Sequence, residues 1–193
     1  MSSTITTSND NQERWLKRYY LIRAAFSVVW VGLALAIGTK EPAIATLLLV
    51  VYPAWDAIAN WLDAGNSGGL AKNPTQKLNV FISAITALAV LLASKAGIGT
   101  VVAVIGVWAI VSGLLQLGTA IRRWKTHGAQ WTMVLSGAQS ALAGGLFVAQ
   151  SQGATPPSIA NIAGYAGVGA LYFLISGIWL VVSHMRRAGR ATA

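Results

Sequence analysis

Residues 99–121 read GTVVAVIGVWAIVSGLLQLGTAI, an uninterrupted run that contains no acidic or basic side chain. A helix of about 20 apolar residues is long enough to cross the roughly 30 Å hydrocarbon core of a bilayer. Five other stretches are similarly apolar, which gives six candidate spans: residues 20–38, 42–62, 78–94, 99–121, 131–150 and 159–183. The sequence therefore predicts an all-α, polytopic membrane helix bundle.

The composition agrees with a location in the membrane. Hydrophobic residues make up 55% of the 193-residue chain and charged residues 10%. A soluble domain of this length would have too few charged side chains to cover its surface. The net charge of +9 is therefore interpreted through membrane topology, and nucleic acid is not expected as a partner.

The basic residues decide the predicted orientation. If the N-terminus is cytoplasmic, only Lys40 and Lys95 of the 14 basic residues fall on the opposite side. The cytoplasmic set is Arg14, Lys17, Arg18, Arg23, Lys72, Lys77, Arg122, Arg123, Lys125, Arg186, Arg187 and Arg190. Cytoplasmic loops of membrane proteins carry an excess of Lys and Arg. We therefore predict that both termini are cytoplasmic and that this face contacts anionic lipid headgroups.

The polar ends of the chain predict its division into domains. Residues 1–18 are polar and are predicted to form a disordered cytoplasmic tail. Residues 19–185 form the predicted transmembrane domain, which consists of hairpins at about 20–62, 78–121 and 131–183. Residues 186–193 are predicted to form a basic cytoplasmic tail.

The three predicted hairpins share a short template. In each even span an aromatic residue is followed four positions later by a small polar residue, as in Tyr52/Asp56, Trp108/Ser112 and Tyr172/Ser176. The odd spans carry Ser27, Ser83 and Ser136 at matching places. From the first hairpin to the second the serine and the aromatic residue move by the same amount, and from the second to the third the aromatic residue moves further than the serine. The pattern predicts an internal threefold repeat.

Span 5 carries two tracks of small residues. They are Ser136, Ser140 and Gly144 on one track and Gly137, Ala141 and Gly145 on the other. Small residues let helices approach closely in lipid, where no hydrophobic force drives them together. The tracks predict that span 5 is central, and small-residue faces also allow a homo-oligomer.

The chain resembles the HdeD-like acid-resistance membrane proteins, which are bacterial six-helix proteins built from a short repeat of unknown function. The resemblance rests on WAIVSGLLQL from Trp108, AIRR from Ala120, WTMVLSG from Trp131 and ISGI from Ile175, and it extends from Arg23 to about Arg187. In the first hairpin, Ile58 follows Asp56-Ala57 where a glycine is more usual. The resemblance implies a bacterial inner-membrane location and a part in acid stress, and it supplies no catalytic residues.

Asp56 is the side chain that the bilayer makes most costly. A carboxylate inside a span costs roughly 2.5 to 3.5 kcal/mol on insertion scales unless it is paired or faces water. Arg23 lies at a similar depth in the neighbouring antiparallel span, so we predict an intramembrane Arg23–Asp56 pair. A protonated or snorkelling Asp56 and a proton or ion relay are the alternatives.

Other polar residues continue the face that Asp56 begins. Asn60 follows Asp56 by four residues and Gln116 follows Ser112 by four, which places each pair on one helical face. Together with Ser176 they form a predicted inward polar face. This face either bonds the helices together or lines water.

The sequence has no motif of the common enzyme classes, such as HExxH, a Walker loop or G-x-S-x-G. With two histidines, no cysteine and five acidic residues, we predict no catalytic site, metal or cofactor. The predicted function is that of a non-enzymatic membrane protein in acid-stress resistance or envelope maintenance. The alternatives are a small transporter or channel with a polar path near Asp56, and a membrane assembly or scaffold protein.

Overall fold

The structure is a computed structural model that describes residues 2–125 and 130–191. Side chains are described for residues 14–125, 130–183, 185 and 186. In the predicted C-terminal tail at 186–193, the side chains from residue 187 onward, which include Arg187 and Arg190, therefore lie outside the described part of the chain.

Six long α-helices and no strands make up the described part of the chain. The helices are α1 (Ser2–Leu33), α2 (Pro42–Asn66), α3 (Pro74–Ala93), α4 (Ile98–Arg123), α5 (Gln130–Gln150) and α6 (Ile159–Ala191). A π-helical turn at Ala34–Gly38 extends α1, and 3₁₀ turns at Leu70–Lys72 and Ser94–Ala96 precede α3 and follow it. In the described residues each of the six contains a segment long and apolar enough to cross a membrane.

The first helix begins earlier than the sequence predicts. It starts at Ser2, so the structure gives helix in the N-terminal segment for which disorder is predicted. The prediction was based on Ser, Thr, Asn and Asp, which are weak helix formers. Adding residues to the end of an existing helix needs no new nucleus, so the apolar span extends into the polar segment.

The helices form a closed ring in chain order. Each helix packs against the helices that precede and follow it in the chain, and α1 packs against α6. The most extensive interfaces are α4 with α5, α2 with α3, and α1 with α6. Such a ring has an interior that all six helices border, and a polar side chain from any of them can point into it.

Backbone contact between α4 and α5 explains why their interface is so extensive. A Cβ atom added to Gly144 would lie 2.5 Å from the carbonyl oxygen of Gly106, and one added to Gly113 would lie 2.5 Å from that of Gly137. Only glycine allows so close a crossing. Gly145 has open space around it, so the second predicted track contacts α4 only in part.

The prediction that α5 is the central helix is wrong. Its main neighbours are α4 and α6, so α5 has the same two-sided place in the ring as the other helices. Small residues predict how closely two helices approach, but they carry no information on how many neighbours a helix has. The close approach of α5 to α4 was correctly anticipated by the track containing Gly144.

The outer surface of the ring is apolar. Leu88, Leu92, Leu142 and Ile121 are each about two-thirds or more exposed, and they are part of a larger exposed apolar set from all six helices. A surface of this kind is stable in lipid and not in water. The interior has an apolar part and a polar part. The apolar part is a cluster of buried side chains that includes Trp30, Ala34 and Ala166.

Candidate functional site

A small polar cavity lies inside the ring and has a volume of about 60 Å³. Every helix contributes to its lining, which consists of Arg23, Ser27, Tyr52, Trp55, Asp56, Asn79, Trp108, Ser112, Gln116, Met133, Ser136, Gln139, Ser140, Tyr165, Gly169 and Phe173. A buried water needs roughly 15 Å³ of such space and two to four polar partners. The cavity therefore has room for about two to four waters and polar groups to hold them.

Asp56 is buried beside this cavity and both of its carboxylate oxygens are occupied. Oδ1 lies 2.5 Å from Nη2 of Arg23. Oδ2 accepts hydrogen bonds from Asn60 Nδ2 at 3.1 Å, Asn79 Nδ2 at 3.1 Å and Ser83 Oγ at 3.0 Å. These donors come from α1, α2 and α3, so one carboxylate connects three helices. Both carboxylate oxygens therefore have hydrogen-bond partners, which offset the cost of burying them.

Arg23 is held on several sides. Its Nη1 donates to the Tyr19 hydroxyl at 2.9 Å, one helical turn earlier in α1. Its guanidinium carbon lies 4.4 Å from the centre of the Phe173 ring, which is a cation–π contact across the α1–α6 interface. The pair formed by Arg23 and Asp56 thus links both neighbours of α1. Buried charges are tolerated when they are paired and hydrogen-bonded in this way.

Hydrogen bonds extend the network from α3 to α4. Asn79 uses its amide nitrogen for Asp56 and its Oδ1 to accept a hydrogen bond of 2.8 Å from Ser112 Oγ. Ser83 Oγ accepts a hydrogen bond of 2.9 Å from the Trp108 indole nitrogen. The network therefore crosses four helices in order and fixes the orientation of Asp56 from both sides.

The structure brings three of the four predicted polar-face residues to this network or cavity. Asn60 bonds Asp56, Ser112 bonds Asn79, and Gln116 lines the cavity and donates to the backbone carbonyl of Met133 at 3.3 Å. Ser176 is buried as well, but it is not among the residues that line the cavity. Its hydroxyl bonds Thr132 on α5 and the Tyr172 carbonyl.

The aromatic residues at the cavity also correct the predicted template. Tyr52 and Trp108 line the cavity and their rings meet edge to face at 5.7 Å, whereas Tyr172 is not among the lining residues. Tyr165 of α6 lines the cavity. The Trp108 indole nitrogen donates to Ser83 Oγ at 2.9 Å, and the hydroxyls of Ser140 and Tyr165 bond each other at 2.6 Å. Ser27 and Tyr52 line the same cavity.

A second buried ion pair joins α2 to α4 and was not predicted. Asp63 Oδ2 lies 2.9 Å from Arg123 Nη1 and accepts a hydrogen bond of 3.1 Å from Gln76 Nε2. Arg123 also donates to Ser67 in the connection between α2 and α3. Asp63 was missed because the predicted span ends at residue 62. Its position about two helical turns after Asp56, on the same face, was the available signal.

Arg122 strengthens this second cluster from its edge. It donates to Gln76 Oε1 at 2.7 Å and to Asn73 Oδ1 at 3.1 Å. Asn73 in turn donates to the carbonyls of Ser67 and Gly69, which fixes the turn between α2 and α3. The cluster therefore closes the end of the ring that is predicted to face the cytoplasm.

The chemistry available at the cavity is that of an ion pair, hydroxyls and amides. Its charges, Arg23 and Asp56, cancel each other. In the residues that the structure describes, no group of three or more His, Cys, Asp or Glu side chains could hold a metal ion. The arrangement can bind water or another small neutral polar molecule.

Comparison with protein families gives one result. Residues 81–149 match a short repeat of unknown function, DUF308. This is the family to which HdeD-like proteins belong. The match covers a little over a third of the chain, from α3 to the end of α5, and includes Ser83, Trp108 and Ser112 of the network. No curated protein and no solved structure gives a significant match.

Proposed function

We propose that the protein is a non-enzymatic inner-membrane protein that acts in acid-stress resistance or envelope maintenance. The observation that carries this proposal is the saturated Arg23–Asp56 network inside an apolar ring. A carboxylate with every oxygen occupied is suited to holding helices together and is poorly suited to accepting a substrate. The short-repeat match supports the resemblance to HdeD-like proteins.

The proposal includes the orientation and the partners. Both termini face the cytoplasm, where the basic residues contact anionic lipid headgroups. The clusters at Arg122, Arg123 and Asp63 then lie at the cytoplasmic end of the ring. Copies of the chain associate through outward small residues such as the exposed Gly164, which has open space around it.

We also infer that the three hairpins are copies of one unit, in a register that makes Ser27, Ser83 and Ser140 equivalent. Two sets of contacts support this register. Ser83 and Ser140 each hydrogen-bond an aromatic residue of the following helix, and Ser27 lines the cavity together with Tyr52. The hydroxyl pair of Thr75 with Thr119 in the second hairpin recurs in the third as Thr132 with Ser176, at the positions that the register assigns to it.

In this register the charged pair of Arg23 and Asp56 has equivalent positions in the other two hairpins. The equivalents of Arg23 and Asp56 are Asn79 and Ser112, which also bond each other, and then Ser136 and Gly169. The third hairpin thus has Ser136 and Gly169 at these positions, where the first hairpin has the larger charged side chains of Arg23 and Asp56. This loss of side-chain volume accounts for a cavity beside the third hairpin.

A survival assay tests the proposed function. A deletion strain should lose viability at low external pH relative to its parent, and the wild-type gene should restore it. A gene carrying both Asp56→Asn and Arg23→Gln should restore less than wild type, because the network is lost. Glu41→Gln, an exposed position in the described structure, is the matched control and should restore viability fully. Equal survival of the deletion strain and its parent would exclude acid-stress resistance.

A small transporter or channel is the second candidate function, and the cavity itself favours it. Polar side chains inside a membrane bundle commonly mark a solute path. In the structure Asp56 is both paired and beside a cavity with room for water. A scaffold function has less support, because Gly106, Gly113 and Gly144 pack within the chain.

A further inference from the structure

A vestibule lies at the end of the ring opposite the Asp63 cluster. This vestibule has a volume of about 390 Å³ and is bordered by the ends of α1, α2, α3, α4 and α6. Thr39, Gly97 and Ser158 at its rim are exposed, whereas Leu49 and Val101 at its base are buried. The opening therefore narrows from solvent toward the middle of the bundle.

An apolar layer, which is part of the buried cluster around Trp30, separates the vestibule from the polar cavity. Leu49 at the base precedes Tyr52 at the cavity by three residues, a rise of about 4.5 Å along the helix. The residues equivalent to Leu49 in the repeat are Ile105 and Ile162, and all three are at most 2% exposed and belong to one core cluster. Even helices from all three hairpins thus supply one aliphatic side chain each to this layer.

A narrow aliphatic segment between two spaces that hold water can act as a gate. Water leaves such a segment, which closes the path without any charged barrier, and widening or hydrating the segment opens the path. The opposite end of the cavity is closed by hydrogen bonds such as Thr75 with Thr119, whose groups water can bond in turn. The apolar layer is therefore the stronger of the two barriers.

The volume and the charge of the polar cavity limit which molecules could pass through the ring. A cavity with space for about two to four waters is too small for sugars, amino acids and larger solutes. Asp56 is neutralised by Arg23, so the cavity holds no net charge to attract a cation or an anion. We propose that the axis of the ring is a closed conduit for water and water-sized neutral molecules, with Leu49, Ile105 and Ile162 as its gate. The inference rests on the second candidate function.

Osmotic swelling of vesicles tests the conduit. Proteoliposomes containing Leu49→Ser should take up water several-fold faster than those containing wild type. Adding Gly169→Leu should abolish the increase by filling the cavity, since a Cβ at Gly169 meets no atom within 4 Å. Leu88→Ser, at a position 65% exposed on the outer surface, is the matched control and should leave permeability at the wild-type rate.

Two outcomes overturn the conduit. One is an unchanged rate for a folded Leu49→Ser, and the other is an increase that Gly169→Leu does not remove, which would place the leak elsewhere. An internal pH dye separates this result from the second candidate function, because proton entry without water entry would support a transporter and exclude a neutral conduit.

Cysteine labelling covers the case in which Leu49→Ser does not fold. The natural chain has no cysteine, so Thr46→Cys in the vestibule and Ser140→Cys in the cavity each provide one thiol. A membrane-impermeant thiol reagent outside intact cells should label Thr46→Cys and not Ser140→Cys. Failure to label Thr46→Cys would overturn the vestibule and the proposed orientation on which it depends. Labelling of both cysteines at equal rates would overturn the gate.

Discussion

Replacing Asp56 by asparagine should destabilise the protein more than replacing Asp56 and Arg23 together. The single change leaves the Arg23 guanidinium buried without its counter-charge. It also places a side-chain amide beside donors such as Asn79 Nδ2, which bond the Asp56 carboxylate in the wild type. Removing one partner of a buried ion pair typically costs about 3–5 kcal/mol. Asp56→Asn with Arg23→Gln removes both charges and should recover part of that loss.

Thermal unfolding in detergent measures this cycle. The order of melting temperatures should be wild type, then the double variant, then each single variant. Glu41→Gln removes an exposed carboxylate and should melt with wild type, which controls for a change in net charge. If the losses of the two single variants simply add in the double variant, the two side chains do not interact and the network has been assigned wrongly.

The second large effect is expected at the crossing of α4 and α5. Gly144→Leu places a side chain where a Cβ atom would already lie 2.5 Å from the Gly106 carbonyl oxygen and 2.7 Å from the Ile110 nitrogen. Overfilling a packed interface usually costs about 1–3 kcal/mol. The obstacle here is backbone, which cannot change rotamer, so we expect the upper part of that range or loss of the folded monomer.

The adjacent residue gives a matched control. Gly145→Leu makes the same chemical change one position along α5, where no atom lies within 4 Å of the added Cβ. Size-exclusion chromatography and thermal unfolding in detergent should leave Gly145→Leu near wild type and show Gly144→Leu aggregated or strongly destabilised. Equal behaviour of the two variants would mean that α5 does not meet α4 through Gly144.

The helices were predictable because their signal is local. A predominantly apolar run of about 20 residues must either span a membrane or be buried, and six such runs leave little freedom in the fold class. The closing of the ring was not predictable, because the contact between α1 and α6 joins opposite ends of the chain. Nothing within either helix specifies the other as its neighbour.

The polar network was predictable in part for a related reason. Arg23 and Asp56 lie at equal depth in adjacent antiparallel helices, and each charge needs a partner in lipid. Their hydrogen-bond partners Asn79 and Ser83 lie on α3, and the direction in which α3 faces depends on packing. Asp63 escaped prediction because it lies one residue beyond the assumed end of the span, where a charge was taken to need no partner.

The sequence leaves two registers open for the third hairpin. Small residues recur every seven positions on the inward face, as with Ser112 and Thr119 in α4 and with Gly169 and Ser176 in α6. Seven positions are almost two helical turns, so a template shifted by this amount still places small residues on the same face. The hydrogen bond between Thr132 and Ser176 supports the register in which Ser176 corresponds to Thr119.

The paired state of Asp56 limits what the cavity can do. The carboxylate is bonded by Arg23, Asn60, Asn79 and Ser83, and these bonds would have to break for Asp56 to move or to bind a cation. The proposed conduit therefore uses Asp56 as a fixed part of the cavity wall. A neutral conduit and a structural network are compatible, whereas a proton relay through Asp56 would require the network to open in each cycle.

Closure of the ring by α1 and α6 is the central claim, because the cavity, the network and the repeat all depend on it. A Cβ at Gly177 would lie 3.0 Å from Leu21 Cδ2, so Leu21→Cys with Gly177→Cys places two thiols together in a chain that has no other cysteine. With a protease site inserted in the α5–α6 connection, oxidation in the native membrane should keep the cleaved α6 fragment attached until reductant is added. Leu21→Cys with Gly145→Cys should not cross-link. Separation of the α6 fragment from the oxidised Leu21→Cys/Gly177→Cys protein would contradict the closed ring.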